Sequence, residues 1–153
     1  MNGTHIELRR ATGADLPAIA TLLEACALPT GDLDAALLAG FCVAESRAES
    51  GSQLAGVIGW ERLGDAALLR SLAVVPARRG AGLAARLVDW SEATARAQGA
   101  ATAYLLTTTA ADYFLRRGYA EVARAEVPPA VAGHAQFRSL CPASARCLAR
   151  PLG

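Results

Sequence analysis

Ser71-Leu72-Ala73-Val74-Val75-Pro76-Ala77-Arg78-Arg79-Gly80-Ala81-Gly82-Leu83-Ala84-Ala85-Arg86-Leu87 runs from an apolar strand through an arginine- and glycine-bearing loop directly into an amphipathic helix. Gly80 and Gly82 lack a β-carbon, so the chain can turn tightly there and bring its amides close to a bulky anion. The unsatisfied N–H groups and the positive dipole end of the following helix attract such an anion. Arg78 and Arg79 add formal charge at the same mouth. An ordinary strand-to-helix turn accounts for two glycines alone; the arginine pair and the uninterrupted strand favour a phosphate cradle.

Two phosphate-binding patterns fail on context. Gly80-Ala81-Gly82-Leu83-Ala84-Ala85 satisfies a loose dinucleotide fingerprint, but Thr107-Thr108-Thr109 stand where an acidic ribose ligand belongs, about twenty residues on. A Walker-type loop fails because no Gly-Lys-Ser/Thr follows. Read as Arg79-Gly80-Ala81-Gly82-Leu83-Ala84, the loop resembles the Arg/Gln-x-x-Gly-x-Gly/Ala motif of the GNAT superfamily of acyl-CoA N-acyltransferases. Ile6–Ile19 is similar to that family's opening strand and first helix, and Tyr113–Tyr119 to its late helix-to-strand signature. Within the superfamily, Leu68–Val74, Tyr104–Ala110 and Phe137–Cys147 resemble the arsenic-resistance N-acetyltransferase branch.

The resemblance implies a GNAT fold: an α+β, three-layer arrangement with a mostly antiparallel mixed sheet of six to seven strands, splayed at the acyl-CoA site and flanked by about four helices. Acetyl-CoA is the implied cosubstrate and a small-molecule amine the implied acceptor, with no metal; a homodimer is a family expectation. Acceptors suggested by the branch are amino acids or their arsenic-bearing analogues, and that step is analogy rather than derivation.

Composition agrees with one domain over 1–153. The chain has 153 residues, 53% hydrophobic and 19% charged, enough for one sizeable core and too few for two ordinary domains. With 15 basic against 14 acidic residues there is no global field to recruit nucleic acid or an anionic membrane, so anion recognition must be local. No apolar run is long enough to span a bilayer and Met1–Glu7 lacks a signal pattern, so a cytoplasmic location is expected. Cys26, Cys42, Cys141 and Cys147 include no Cys-x-x-Cys pair and read as reduced thiols.

Alternation predicts a strand over 5–10, and Thr12-x-x-Asp15 with Pro17 predicts a helix start whose buried stripe is Leu16, Ile19, Leu22, Leu23 and Cys26. Leu33–Leu38 reads as a short helix or helical loop. Phe41–Ser46 and Leu54–Arg62 read as strands around a polar turn, and a Gly64-Asp65 turn leads into a strand over Ala67–Val75. The two-residue turn sets Glu61 opposite Leu68 and diagonal to Arg70. A helix over Gly82–Gln98, a strand over Thr102–Thr108 and a helix over Ala110–Arg117 capped by Gly118 follow. Tyr119–Glu126 and about Ala143–Ala149 read as a closing hairpin with a long loop.

For the chemistry, the resemblance implies that freed amides of the strand before the loop, at Leu72, Ala73 and Val74, bind the pantetheine arm, and that Arg79, Gly80, Ala81, Gly82, Leu83 and Ala84 hold the diphosphate. Such backbone donors act strongly where water is excluded. An alkyl ammonium must lose a proton before it attacks. Glu61 and Glu45 are the candidate acceptors; Glu61 is preferred because Arg70 can position it, and a purely structural Glu61–Arg70 pair is the competing account. The family's usual tyrosine acid falls at Phe114. Tyr113 precedes it, and one residue on a helix rotates a side chain by about 100°, so its hydroxyl is either the acid or part of a cleft wall.

Arg70 and Arg138 suit a carboxylate or an oxyanion such as an arsonate, with Ser71, Thr107 and Thr108 as hydroxyl donors nearby. Two other functions compete. In one, Cys141 and Cys147 capture trivalent arsenic; six residues on a strand would hold their sulfurs about 20 Å apart unless the segment bends at Pro142. A variant makes Cys141 an acyl-carrying nucleophile activated by His134. In the other, the protein is a catalytically idle acyl-CoA sensor.

Overall fold

The computed structural model describes residues 5–49 and 51–153. Residues 1–4, on which most of the N-terminal reading for a signal pattern falls, and Ser50 of the polar turn lie outside the described residues. The strands are β1 (His5–Arg10), β2 (Phe41–Ala48), β3 (Gly51–Leu63), β4 (Ala66–Val74), β5 (Thr102–Thr107), β6 (Ala120–Glu121) and β7 (Arg146–Pro151), in the sheet order β1-β2-β3-β4-β5-β7-β6. The sheet is mixed: β4 and β5 run parallel, whereas β1/β2, β2/β3, β5/β7 and β6/β7 run antiparallel. The helices are α1 (Leu16–Ala25), α2 (Leu83–Ala97), α3 (Ala111–Arg116) and α4 (Pro129–Ala132). This is the open, helix-flanked sheet expected of a GNAT fold. Contacts divide the chain into two compact units, one holding residues up to Trp60 with Ser71–Ala93, the other Glu61–Arg70 with Thr94–Gly153.

In the first unit, the Asp15 carboxylate accepts the Thr12 N–H at 2.7 Å and so closes the turn Gly13–Asp15 that launches α1. Pro17 fits the first turn, where its missing N–H costs nothing. The apolar spacing then buries Ile19, Leu22 and Leu23 against Leu38, Phe41, Val43, Val57 and Ala73, with Leu16 and Cys26 only partly buried. Each fully buried Leu, Ile or Phe contributes about 1.5–3 kcal/mol. Gly59 is required in this layer because a Cβ there would collide with the Phe41 ring.

In the second unit, β5 joins Ala66–Leu68 to β7. Ala66, Val127, Val131 and Cys147 pack with Leu63, Tyr104, Leu106, Val122 and Phe137. The hydroxyl of Thr107 accepts the Ala110 N–H at 2.9 Å and closes the turn that precedes α3. Gly118, at φ +97°, ends it while Tyr119 donates back to the Phe114 carbonyl at 3.1 Å.

Two expectations need correction, and a third is narrowed to one of its forms. The polar turn is shorter than the composition suggests, because β2 and β3 stay paired out to Ala48 and Gly51. Of the two forms expected for Leu33–Leu38 the helical loop is the one present: Asp34 Oδ1 accepts the Leu37 N–H at 2.8 Å, and one 3₁₀ turn, Leu37–Gly40, follows. Tyr119–Glu126 keeps only the two ladder residues of β6, and the stretch before β7 forms helical turns at Arg124–Glu126, Pro129–Ala132 and Gln136–Leu140. Pro128 and Pro129 have no N–H to give a ladder, and Arg124 turns inward to bind carbonyls. Among the described residues, no helix is long and apolar enough to cross a membrane.

Candidate functional site

The quoted strand, loop and helix lie in the first unit. Ser71 sits at φ +61°, a strained value for a residue with a side chain, immediately before Leu72 and the buried Ala73 and Val74. The ladder between β4 and β5 covers Ala66–Leu68 and Thr102–Tyr104, while β4 itself runs on to Val74. Past its end, Val75 donates to the Ala55 carbonyl at 2.9 Å, which anchors the strand exit to β3. Ala73 and Val74 also press on β3: a Cβ on Gly56 would come within 3.1 Å of the Ala73 carbonyl and 3.5 Å of Val74.

A 3₁₀ turn at Pro76–Arg78 then leads to Arg79, Gly80, Ala81 and Gly82. Gly80 and Gly82 both adopt φ +83°, and a Cβ on either would meet nothing within 4 Å. Glycine is therefore demanded by the backbone conformation, and the space above the loop is open. The helix ladder begins where the Arg86 N–H donates to the Gly82 carbonyl at 3.2 Å, so the amides of Leu83, Ala84 and Ala85 are the first-turn donors that a 15-residue helix offers to an anion. The two arginines are tied to the protein. Arg79 Nε donates to the Val74 carbonyl at 2.9 Å and its Nη2 lies 3.6 Å from Cys26 Sγ, while Arg78 Nη2 donates to the Ser46 hydroxyl at 2.9 Å.

The second unit carries a polar cluster around Glu61. Arg70 Nη1 donates to Glu61 Oε2 at 2.8 Å, and the Arg70 side chain is fully buried whereas that of Glu61 is 22% exposed. The expected Glu61–Arg70 approach is present, but Arg70 lies in the interior rather than at an open surface. His134 Nε2 also reaches Glu61 Oε2 at 2.8 Å. Its Nδ1 accepts the Gln136 N–H at 3.0 Å. Both ring nitrogens are thus engaged away from Cys141, which corrects the idea that His134 activates that thiol. The sequence reading had no way to pair His134 with Glu61, because the two are 73 residues apart and no local pattern links them.

Other candidates separate clearly. Glu45 lies in the first unit between Arg9 and Arg47, whose hydrogen bonds hold its carboxyl below the usual range, a poor setting for a base. The Tyr113 hydroxyl is shielded from solvent and has no hydrogen-bond partner among the described residues. Phe114 is buried between Tyr113 and Tyr119, with ring centroids at 5.2 and 5.3 Å. Thr107 is partly committed to the turn before α3, Thr108 and Arg138 are exposed, and Ser71 is half-buried. Cys147 is buried on β7 with its thiol pushed up to about 11 by burial, whereas Cys141 lies in the preceding loop, its Sγ 3.5 Å from Gln136 Oε1. Cys141 thus lies outside the strand that carries Cys147.

An open mixed sheet carrying a glycine loop at a helix N-terminus is the architecture of acyl-CoA N-acyltransferases. The acetyltransferase (GNAT) domain model matches residues 38–121, more than half of the sequence, and the chain belongs to that family. Among solved structures it is similar to N-acetylglutamate synthase from Neisseria gonorrhoeae, determined with coenzyme A and N-acetyl-glutamate, at TM-score 0.81 and 22% identity over 97% of this chain and 35% of that one. It thus spans about a third of that protein's length. Rv2747 from Mycobacterium tuberculosis, in complex with CoA, matches at TM-score 0.78 and 23% identity over 95% of this chain and 98% of that one. A GNAT-family acetyltransferase from Staphylococcus aureus matches at TM-score 0.68 and 17% identity, covering 97% and 100%. No curated protein matches the sequence.

Proposed function

We propose that this chain is an N-acetyltransferase that moves the acetyl group of acetyl-CoA to the primary amine of a small molecule, an amino acid or an arsenic-bearing amino-acid analogue, by direct attack in a ternary complex. The observation that carries the reading is the open cradle at Gly80 and Gly82, both at φ +83°, on the N-terminus of α2. In this account the amides from Arg79 to Ala84 receive the diphosphate, and backbone donors at Leu72, Ala73 and Val74 hold the pantetheine arm and polarise the thioester carbonyl. The neighbours solved with coenzyme A support the ligand class. The N-acetyl-glutamate in the gonococcal enzyme supports an amino-acid acceptor.

Glu61 takes the proton from the acceptor ammonium, the freed amine nitrogen attacks the thioester carbon, and collapse of the tetrahedral intermediate breaks the C–S bond while the nitrogen sheds its second proton, which replaces the one that Tyr113 gives up. Tyr113 returns a proton to the departing thiolate; the support is its shielded hydroxyl, which has no hydrogen-bond partner among the described residues. Arg70 positions Glu61, and Ser71, Thr107, Thr108 and Arg138 are the residues assigned to the acceptor. The proposal includes action of residues 1–153 as one catalytic domain, a cytoplasmic location and a homodimer.

The test is calorimetric titration with acetyl-CoA followed by a free-thiol assay across an amino-acid panel that includes glutamate-like arsono and phosphono compounds. Micromolar binding and amine-dependent thiol release are expected. Absence of binding at millimolar acetyl-CoA overturns the assignment, and binding without release with any amine makes the protein an acyl-CoA sensor.

A further inference from the structure

Resting on Glu61 as the acceptor of the amine's proton, we infer that His134 is a positioning residue that orients this carboxylate and leaves Oε1 as the atom that takes the proton. Gln136 N–H points at Nδ1 from 3.0 Å, so Nδ1 is the lone-pair nitrogen and the ring proton sits on Nε2. That proton faces Glu61 Oε2 at 2.8 Å. Arg70 Nη1 donates to the same oxygen at 2.8 Å. Two donors converge on Oε2 from residues whose side chains are 0% and 10% exposed, so both hydrogen bonds load that oxygen rather than Oε1.

The segment that carries the ring is itself held. His134 N–H donates to the Val131 carbonyl, and the His134 carbonyl accepts the Phe137 and Arg138 amides, each at 3.0 Å. Gln136 is buried at 4% exposure. Arg124 then clamps the following chain through the carbonyls of Phe137, Pro142, Ala143 and Ala145. Supporting groups of this kind set the orientation of the atom that does the chemistry, and their loss costs about 10- to 100-fold in activity where they hold a ligand or a base. In the reaction, the ammonium N–H bond breaks and an O–H bond forms at Oε1. The Nε2–H bond to Oε2 persists throughout, because Nδ1 faces a backbone donor and offers the proton no exit through the ring. The proton returns to solvent from Oε1 after product leaves.

The experiment compares wild type with Glu61→Gln, His134→Ala, His134→Gln and the double variant Glu61→Gln/His134→Ala. His134→Ala is expected to lower kcat about 10- to 100-fold with KM for acetyl-CoA unchanged. Glutamine, whose amide can donate in place of Nε2, is expected to recover most of the loss. In the Glu61→Gln background, removing His134 is expected to cost no more than about twofold. Wild-type kcat in His134→Ala together with a dead Glu61→Gln overturns the positioning role and spares the base. An active Glu61→Gln overturns the base itself. Nitrogen NMR of the imidazole in the wild-type protein gives a reading independent of folding in the variants: a protonated Nε2 and bare Nδ1 at neutral pH are expected, and the opposite tautomer overturns the inference.

Discussion

Tyr113 illustrates how much one position on a helix matters. Its neighbour Phe114 occupies the place of the family's usual acid and is buried between two aromatic rings, so the only hydroxyl on α3 is the shielded, unpartnered one of Tyr113. A buried hydroxyl without a partner costs about 1–3 kcal/mol. Tyr113→Phe is therefore expected to leave the melting temperature unchanged or higher while lowering kcat at least tenfold. Steady-state kinetics beside calorimetric melting checks both, and undiminished kcat removes Tyr113 from the mechanism. The thiols divide in the same residue-by-residue way. Burial pushes Cys42 and Cys147 up to about 11 from an ordinary 9.0, so each carries on the order of a hundredfold less thiolate than an unperturbed thiol near neutral pH. Pulse alkylation of the native protein at neutral pH, read by peptide mass spectrometry, is expected to label the half-buried Cys26 and Cys141 well ahead of Cys42 and Cys147. Such an order weighs against joint metalloid capture by Cys141 and Cys147.

At the scale of elements, the loop into α2 is the segment whose function is tied to backbone shape. Gly80 and Gly82 stand at φ +83° with open space above them, so an added methyl group meets no neighbour and acts through the dihedral alone. Gly80→Ala and Gly82→Ala are each expected to cost about 1–2 kcal/mol and to weaken acetyl-CoA binding, measurable by denaturant unfolding and calorimetry. Gly64→Ala serves as the control: it has the same handedness at φ +67°, again with nothing within 4 Å, but lies in the β3–β4 turn. It should lose stability without losing ligand affinity. The segment before β7 is organised differently, by one side chain. Arg124 binds four carbonyls and lies over the Phe137 ring at 5.6 Å. Arg124→Lys, which keeps the charge but loses the planar fork, is expected to speed hydrogen exchange of the Phe137–Ala145 amides while β5 stays protected.

For the molecule as a whole, pH acts on stability from two sides. Asp15, Glu45 and Glu121 all have carboxyls lowered by hydrogen bonds from Arg9, Arg9 and Arg146 respectively. A group with a lowered folded value contributes stability above its unfolded value and loses it as pH falls through the folded one. Cys42 and Cys147 act in the opposite sense: with folded values near 11 against an ordinary 9.0, they favour the native state below the unfolded value and lose that contribution as pH rises toward 11. A melting temperature that is flat from about pH 5 to 8 and falls below about 4 and above about 9 is expected by calorimetry. A continued rise beyond pH 9 contradicts the buried-thiol account.

What the chain reveals unaided is what neighbouring residues decide among themselves. The alternation of β1, the Thr12–Asp15 turn, the glycines at 80, 82 and 118, and the two-residue turn that brings Arg70 toward Glu61 are all short-range consequences of sterics, capping and strand period. The extent of β2 and β3, the helical turns between β6 and β7, the burial of Arg70 and above all the approach of His134 to Glu61 came only from the tertiary structure. Those features depend on contacts between segments far apart in sequence, whose free energy no local pattern encodes.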